Sequence, residues 1–496
     1  MILPYAHHKY YERNITIVIF LLLLLVRAPF LANSPAEYHG WRQSDTEAIA
    51  ENFLTARFNL FYPQLNYDGP LPNYVQLELQ LTTFIIALLY KLFGIHMALA
   101  RIVPLAFFAG SAYYILKIAK WFYGIKTAWF ALLLYGLFPF NIFISRAILP
   151  ESAALFFYLG AFYYLLCWKA AAKASCYLVS AVFTAGAVLE KIPAALILLP
   201  LFYLLATRSD HYLDHDMENT PDGVSVTAPV ITAVKSCAFY AFIALGLPVL
   251  YYAFTQTVAE TAYVRGIAIQ QIWPHFTRAV FTLEAWSFFI DALPRMFTVT
   301  GLGLFFTGLF TVRKKKEMVL LVWVLAVALE FALIVAVIRL DYYLIFAGPP
   351  LALLGAKPLR SLSSNTPGKI IASFLLFLIL VRAWWDIPIY YNQNTLLLKQ
   401  AETVQELSGP QDLIVIGSPD PELLNLSRRT GWRANLFFPG QPEKEIAFFI
   451  EKGAKYFVPV ESGISGNNGG LYMQYLKEHF TNISPEPGFP IFKLAE

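Results

Sequence analysis

Charged residues are scarce in this sequence. Asp, Glu, Lys and Arg together make up 14% of the 496 residues, whereas soluble domains contain about 25%. Hydrophobic residues account for 58%, so the chain is predicted to be a multi-pass membrane protein. Lys and Arg exceed Asp and Glu by only four, and no basic patch with interleaved aromatic residues is present. Nothing in the composition therefore indicates a nucleic-acid partner.

The sequence also shows no sign of a disulfide framework, a signal-peptide cleavage site or a glycine-rich phosphate-binding loop. The three cysteines, Cys167, Cys176 and Cys237, fall on the predicted inner side of the membrane, so no disulfide framework is expected. The first apolar run lacks a small-residue cleavage site, which predicts an uncleaved first helix and not a secretory signal. No glycine-rich phosphate-binding fingerprint and no internal repeat is evident.

Long hydrophobic runs are abundant, and about twelve are candidate membrane segments. The segment at 79–93 contains about fifteen apolar-rich residues, fewer than the ~20 that a spanning helix needs. If it crossed, four basic clusters would lie outside, against the positive-inside bias. If it does not cross, those clusters become cytoplasmic: Lys117/Lys120/Lys126, Lys169/Lys173, Arg313–Lys316 and Lys357/Arg360/Lys369. We therefore predict about eleven transmembrane helices, with the N-terminus inside and the C-terminus outside.

The composition changes to that of a soluble domain near Asp386. Apolar runs of strand and helix periodicity alternate from there on, which predicts a small extracytoplasmic α/β domain over 386–496. Residues 1–385 form the predicted membrane domain, with a first outer loop at 33–96. Residues 211–226 are predicted to be a flexible inner loop, in which the spacing of His and Asp also leaves a metal site open.

The stretch "HGWRQSDTEAIAENF" directly follows the first apolar run. Ser44 and Glu47 have capping-box spacing, which predicts a helix beginning at Asp45. Ile49 and Phe53 recur at helical spacing, as in a helix that lies flat in the membrane interface. Asp45 in the first turn is also compatible with a simple helix-dipole role. A cap, however, does not need the polar residues that precede it, which are His39, Trp41, Arg42 and Gln43.

Other ionisable residues fall at the same predicted outer boundary, where such groups are functional candidates. They occur in "SRAILPE" (Arg146, Glu151), "LEKIP" (Glu190, Lys191) and "IRLDYY" (Arg339, Asp341, Tyr342, Tyr343). Each has a simpler alternative. An arginine can be a snorkelling anchor, a Glu-Lys pair can be a structural ion pair in a turn, and tyrosines are common interface residues.

In their order along the chain these motifs resemble the membrane glycosyltransferases of family 39. The matching elements are "GWRQSDTEAIAENF", "RIVPL", "ISRAILPES", "LEKIPAALILLP" and "RLDYYLIFAGPPLALL". This family belongs to the GT-C fold class, which includes protein O-mannosyltransferases and the lipid A aminoarabinose transferase. The tail segment "PELLNLSRRTGW" is similar to a motif in the outer domain of some bacterial members.

The resemblance implies transfer of a sugar from a polyprenyl-phosphate carrier to an acceptor hydroxyl, with inversion at the anomeric carbon. The acceptor, which is a lipid, a glycan or a protein, would react at the outer face of the plasma membrane. Asp45 matches the first-loop catalytic acid and Glu151 the second acidic residue. A divalent cation held by both is possible, because family members differ in metal use.

The resemblance also implies roles for the remaining polar residues. The cations that would neutralise the leaving phosphate are Arg146, Lys191 and Arg339. Many relatives carry His at the position of Arg339. Substrate contacts are expected from His39, Trp41, Arg42, Gln43, Tyr342 and Tyr343.

Two other functions fit a chain of this kind. A transporter or flippase would place ionisable residues near the middle of its spans and often shows an internal repeat. An outer binding or scaffold protein would tolerate replacement of Asp45 by Asn. The clustering of charge at one boundary favours the transferase.

Overall fold

A computed structural model describes residues 3–207, 230–460, 467–486 and 488–495. The predicted loop at 211–226, with its open metal site, lies outside the described residues. The chain is mostly helical. Its α-helices are α1 Leu3–Leu25, α2 Gly40–Thr55, α3 Leu81–Phe93, α4 Met97–Tyr123, α5 Ile125–Leu137, α6 Pro139–Ile144, α7 Glu151–Ala171, α8 Ala174–Glu190, α9 Leu198–Ala206, α10 Val230–Val258, α11 Tyr263–Gly266, α12 Leu283–Phe297, α13 Val299–Phe310, α14 Met318–Glu330, α15 Ala336–Ile338, α16 Gly348–Leu362, α17 Thr366–Tyr391, α18 Thr395–Leu407, α19 Glu422–Ser427, α20 Pro442–Glu451 and α21 Asn467–His479.

The strands are short and form two sheets. They are β1 Asp68–Gly69, β2 Val75–Gln76, β3 Thr261–Ala262, β4 Leu413–Gly417, β5 Gly431–Arg433, β6 Ala454–Pro459, β7 Thr481–Asn482 and β8 Phe492–Lys493. The larger sheet has the order β1-β5-β4-β6-β8-β7, and β4 pairs in parallel with both β5 and β6. A second sheet pairs β2 with β3 in parallel.

The chain divides into two compact units. Unit 1 comprises 1–31, 102–254 and 264–388, and unit 2 comprises 32–101, 255–263 and 389–496. Residues of the predicted outer loop 33–96 thus fold together with the C-terminal segment in unit 2. Strand β1 from this loop makes the connection directly, because Asp68 and Gly69 pair antiparallel with Trp432 and Gly431 of β5.

Helices that are long and apolar enough to cross a membrane belong largely to unit 1. Among the described residues five qualify by length and composition: Met97–Tyr123, Glu151–Ala171, Val234–Val258, Lys315–Ile338 and Thr366–Leu407. The bent pair α12 and α13 makes a sixth if it is counted as one span. Helix α3, at 79–93 in the sequence prediction, has 13 residues and is therefore about 20 Å long, shorter than the bilayer core. The count of eleven spans stays a prediction.

The bend of 94° between α12 and α13 has a local cause. Thr298 adopts a positive φ of 63°, which ends α12, and its side chain accepts a hydrogen bond from the Gly301 N–H as the cap of α13. The cap satisfies one of the N–H groups that a new helix leaves without a partner. One residue thus stops the first helix and starts the second.

Six C-terminal elements lie where the sequence predicts a helix or a strand. The runs "TLLLKQAETVQEL", "PELLNLSRR", "KEIAFFIEKG" and "LYMQYLKEHF" overlap α18, α19, α20 and α21, and "DLIVIGS" and "KYFVPV" overlap β4 and β6. The short strands β5, β7 and β8 were not predicted. Helices pack on the sheet around a buried apolar core that includes Val415, Ile446, Phe449, Phe457 and Leu476. This part of unit 2 is therefore an α/β fold with its own core.

The close contact between Gly308 of α13 and Leu354 of α16 can be tested by substitution. A Cβ atom on Gly308 would overlap the carbonyl group of Leu354, whereas one on Gly303 of the same helix would meet nothing within 4 Å. Small residues allow such close approach of helices. We expect Gly308→Ala to destabilise the protein by about 1–3 kcal/mol and to lower its melting temperature, measured in detergent by a thiol-reactive dye. The control Gly303→Ala should be neutral or slightly stabilising; equal effects of both substitutions would contradict the packing.

Candidate functional site

Helix α2 begins earlier than the capping-box pattern predicts. The helix starts at Gly40, and His39 precedes it in a left-handed conformation with φ 56°. Ser44 lies inside the first turns, where its hydroxyl donates to the Trp41 carbonyl at 3.0 Å, and no side chain caps the helix. The capping-box prediction is therefore wrong. The prediction fails because the turn at His39 starts the helix at Gly40, five residues before Asp45. Asp45 therefore lies in the second turn.

Helix α2 is also more buried than an interfacial amphipathic helix with a hydrated polar face. Its buried residues include the polar Gln43, Asp45, Glu47 and Asn52 beside apolar Ile49. The Asn52 amide donates to the Gln64 carbonyl at 3.1 Å and to Asn66 Oδ1 at 2.9 Å. That expectation is corrected: the polar side chains of α2 form hydrogen bonds inside unit 2.

Asp45 is the best-defined polar centre of unit 2. Its side chain is buried, with 2% of the residue exposed. The Tyr67 hydroxyl donates to Oδ2 at 3.2 Å, and Asn425 Nδ2 donates to Oδ1 at 2.7 Å. The Asn425 amide also donates to the Ser44 hydroxyl at 3.2 Å. Both carboxylate oxygens are thus held by donors from segments far apart in the sequence.

Burial changes the pKa of the Asp45 carboxyl. Loss of hydration raises the pKa of this carboxyl to about 6, because burial disfavours the charged form. The positive charge of Arg42 and the hydrogen bonds from Asn425 and Tyr67 oppose that rise. A carboxyl with this pKa is ionised in roughly nine molecules of ten at pH 7 and still accepts a proton far more readily than an ordinary aspartate. It is suited to general-base chemistry.

The polar residues before Asp45 take different positions. Arg42 lies 3.4 Å from Glu78 in a partly buried ion pair. Gln43 is buried, and its amide bridges the Tyr38 carbonyl at 2.8 Å and the guanidinium of Arg101 at 3.1 Å. Gln43 therefore has a structural role, which the sequence prediction of substrate contact did not include. His39 packs against the Tyr38 ring, with centroids 4.2 Å apart, and Trp41 is partly buried.

Two more carboxyl groups of unit 2 lie near Asp45. Glu422 approaches Gly40 so closely that a Cβ atom there would overlap its carboxylate. Burial, together with the negative charges of Asp420 and Asp45, raises the pKa of Glu422 to about 8. Glu422 is thus largely protonated at pH 7 and can donate a hydrogen bond. The sequence pattern did not identify either Asp420 or Glu422 as a site residue.

A second polar centre lies in unit 1. Glu151, at the start of α7, forms an ion pair of 2.6 Å with Lys191, and both side chains are almost fully buried. The Lys191 ammonium also lies over the rings of Tyr342 and Tyr343, 4.8 and 4.5 Å from their centroids. The structure therefore brings together four residues that three separate motifs of the sequence predicted.

The two predicted arginines differ in their surroundings. Arg146 is fully buried and donates to the Phe30 carbonyl at 2.8 Å. Burial excludes the alternative of a snorkelling anchor with its head group in water. Arg339 is exposed, has a positive φ of 52° and makes a long hydrogen bond of 3.4 Å to the Ala336 carbonyl at the end of its own helix.

Glu330 is a buried acid that sequence reasoning missed. It ends α14, is 2% exposed, and directly precedes a π-helical turn at Phe331–Val335. The positive charge of Lys191 attracts it. Its signal in the sequence is that it is the one acid in the apolar run "MVLLVWVLAVALEFALIVAV", and ionisable residues in such runs are functional candidates.

Tyr67 and Asn425 were also missed as partners of Asp45. Asn425 lies 380 residues away from Asp45, so no local spacing connects them. The only signal was the "PELLNLSRRTGW" motif, which contains Asn425 and carries part of the family resemblance.

The described residues do not gather a metal site. Among them, no group of three or more His, Cys, Asp or Glu side chains could hold a metal ion. The oxygens of Asp45 already accept from Asn425 and Tyr67, and one oxygen of Glu151 accepts from Lys191.

The buried ion pair between Glu151 and Lys191 can be tested by a double-mutant cycle. Removing one partner of a buried ion pair leaves the other charge uncompensated, whereas removing both costs much less. We expect Glu151→Gln and Lys191→Met each to lower the melting temperature, and the double variant to lower it less than the sum, with coupling of about 1–3 kcal/mol. Additive effects would show that the two side chains do not interact in the folded protein.

Comparisons with known proteins agree on the fold. Residues 80–219 match the family model described as dolichyl-phosphate-mannose-protein mannosyltransferase. The chain is similar in structure to ArnT from Cupriavidus metallidurans in the apo state, with a TM-score of 0.63, 12% identity, and coverage of 97% of this chain and 98% of that one. ArnT bound to undecaprenyl phosphate matches with a TM-score of 0.61, 13% identity and the same coverage of both chains. No curated protein matches the sequence.

A more distant similarity extends to an archaeal protein. Oligosaccharyltransferase AglB from Archaeoglobus fulgidus, in complex with an inhibitory peptide and a dolichol-phosphate, matches with a TM-score of 0.60 and 11% identity over 99% of this chain and 75% of that one. These proteins are GT-C glycosyltransferases, and the predicted GT-C fold is confirmed, whereas the eleven spans, the membrane orientation and the outer location of the C-terminal domain stay predictions. The chain is mostly helical, contains several apolar helices of membrane-spanning length, and has the GT-C fold of these glycosyltransferases.

Proposed function

We propose that this protein is an inverting glycosyltransferase that moves a sugar from a polyprenyl-phosphate carrier to an acceptor hydroxyl at the outer face of the plasma membrane. The observation that carries the proposal is Asp45. It is a buried carboxylate, held at both oxygens, with a pKa of about 6. The neighbours support the donor class, since one ArnT structure is bound to undecaprenyl phosphate and the AglB structure contains a dolichol-phosphate.

The proposed reaction is a single displacement. The acceptor hydroxyl attacks the anomeric carbon from the side opposite the phosphate, and its proton passes to a carboxylate oxygen of Asp45. The bond between the anomeric carbon and the phosphate oxygen breaks, and its electron pair stays on the departing polyprenyl phosphate. General-base assistance of this kind contributes about 10²–10⁴ in rate. Asp45 therefore has to be ionised at the start of each turnover.

The leaving phosphate gains negative charge as the bond breaks, and cations stabilise that charge most in a low-dielectric site. We assign this role to Lys191 and Arg146, which are both buried in unit 1, and with less support to the exposed Arg339. An ammonium has three N–H donors, of which Glu151 accepts one at 2.6 Å. Glu151 would then orient the ammonium toward the phosphate and limit its net charge.

The tyrosines and the α2 segment are assigned to substrate contacts. Tyr342 and Tyr343 flank the Lys191 ammonium, where their rings would border the donor head group. His39, Trp41 and Arg42 precede Asp45 and are partly buried, so they remain candidates for sugar or acceptor contact.

We propose that the N-terminus is inside and the C-terminus outside, on the basis of where the basic residues fall along the chain. With about eleven spans and the N-terminus inside, the basic clusters become cytoplasmic, as the positive-inside rule requires. That count needs shorter apolar helices such as Ile125–Leu137 and Ala174–Glu190 to cross as well. Asp45, Lys191 and the C-terminal α/β domain would then all be outside.

Purified protein in nanodiscs tests the function. Candidate polyprenyl-phosphate sugars are supplied with lipid, glycan and peptide acceptors, and both glycosylated acceptor and released polyprenyl phosphate are quantified. We expect equimolar products from wild type. Asp45→Asn keeps the size of the side chain and one acceptor oxygen but not its basicity, and it should reduce kcat by about 10²-fold or more while donor binding is retained.

Three results would contradict the proposal in different ways. Movement of intact glycolipid across liposomes without transfer would indicate a transporter. Equal transfer by wild type and Asp45→Asn would remove Asp45 from the chemistry. Binding of the acceptor without any transfer by wild type would indicate a scaffold protein.

A further inference from the structure

The C-terminal part of unit 2 contacts helix α2 along its length. Asn425, on α19, donates to Asp45 and to Ser44. Arg428, just after α19, forms an ion pair of 2.7 Å with Glu51. One short segment of the C-terminal α/β fold therefore contacts α2 both at the proposed base and about two turns further on.

Asn425 and Tyr67 together determine the orientation of the Asp45 carboxylate. Each donates to a different oxygen, so rotation of the carboxylate about its Cβ–Cγ bond would break both hydrogen bonds. Each oxygen of an ionised carboxylate has about two lone-pair sites. An acceptor hydroxyl can therefore donate to Asp45 while both bonds persist.

The charges facing Asp45 make the Asn425 bond important for its ionisation. Arg42 stabilises the carboxylate, whereas Asp420 opposes its charge. Glu422 and Tyr263 also interact electrostatically with it. Burial is the largest effect on the pKa of Asp45, and the Asn425 hydrogen bond lowers that pKa. Loss of the bond would therefore raise the pKa and reduce the ionised fraction at neutral pH.

We propose that Asn425 is a positioning residue for the transfer reaction, through which the C-terminal α/β domain holds the Asp45 carboxylate in its reactive orientation. The inference rests on the proposed function and deepens it, because it gives the C-terminal domain a part in the chemistry of the same site. Asn425 is 3% exposed, so its amide is shielded from water, and hydrogen bonds to charged groups are stronger than those between neutral groups.

The test compares wild type, Asn425→Leu, Asn425→Asp and Arg428→Gln in the nanodisc transfer assay over pH 5–9. Arg428→Gln is the matched control, since it removes the ion pair of the same segment with Glu51 of α2 but neither donor to the Asp45 carboxylate. We expect Asn425→Leu to lower kcat at pH 7 by about tenfold and to move the acid limb of kcat/KM to higher pH. Donor KM should change less than kcat.

Asn425→Asp covers the case in which the leucine variant does not fold. The substitution is nearly isosteric, and a second carboxyl beside Asp45 disfavours ionisation of the pair, so the acid limb should move further than in Asn425→Leu. Arg428→Gln should keep the wild-type limb. Monodisperse elution and the melting temperature establish folding of each variant.

Distinct results separate failure of this inference from failure of the function. If wild type transfers sugar and Asp45→Asn does not, yet both Asn425 variants keep the wild-type pH profile, Asn425 does not position the base. Equal losses in Asn425→Leu and Arg428→Gln with unshifted limbs would mean that the contact only docks the domain. If wild type transfers no sugar, the proposed function falls, and this inference falls with it.

Discussion

Charge buried away from water is the constraint on which the rest of this structure depends. Arg27 is fully buried; it donates to Ser145 Oγ at 2.6 Å and to the Leu23 and Gly136 carbonyls at 2.7 Å, and it lies over the Phe108 ring. An unpaired ion in a low-dielectric interior is costly. The helices of unit 1 therefore have to pack so that the Arg27 guanidinium reaches acceptor oxygens on α1, on α5 and just after α6.

The same constraint accounts for both polar centres. In unit 1, Lys191 is compensated by Glu151 at 2.6 Å and by two tyrosine rings. In unit 2, Arg101 and Glu37 are fully buried as a pair at 2.9 Å. Asp45 differs from these residues because its closest partners are neutral donors. These partners only partly compensate for the loss of hydration, so the pKa of Asp45 is raised. The raised pKa makes Asp45 a base that works near neutral pH.

Sequence reasoning succeeded where periodicity and composition determine the structure. Six of the nine helices and strands described over 395–493 followed from apolar spacing, whereas β5, β7 and β8 did not. The GT-C fold followed from ordered motifs. The start of α2 was wrong because a capping-box pattern cannot reveal that His39 turns the chain with a positive φ. Asn425 was not predicted as a partner of Asp45 because it comes from a distant segment of the chain. Glu330 was missed because it is a single acidic residue in an apolar run. Long-range contacts of this kind depend on the fold and not on local spacing.

The pH dependence of kcat/KM for sugar transfer is the decisive measurement for Asp45, because it reports the ionisation of the free enzyme's base. For wild type, we expect a rise with increasing pH through a midpoint of about 6, the pKa that burial gives to Asp45, and a plateau above it. Glu422→Gln should keep that limb, although its own carboxyl has a pKa of about 8. A rate that stays constant across pH 5–8, or a limb that disappears in Glu422→Gln, would contradict the assignment of Asp45 as the base.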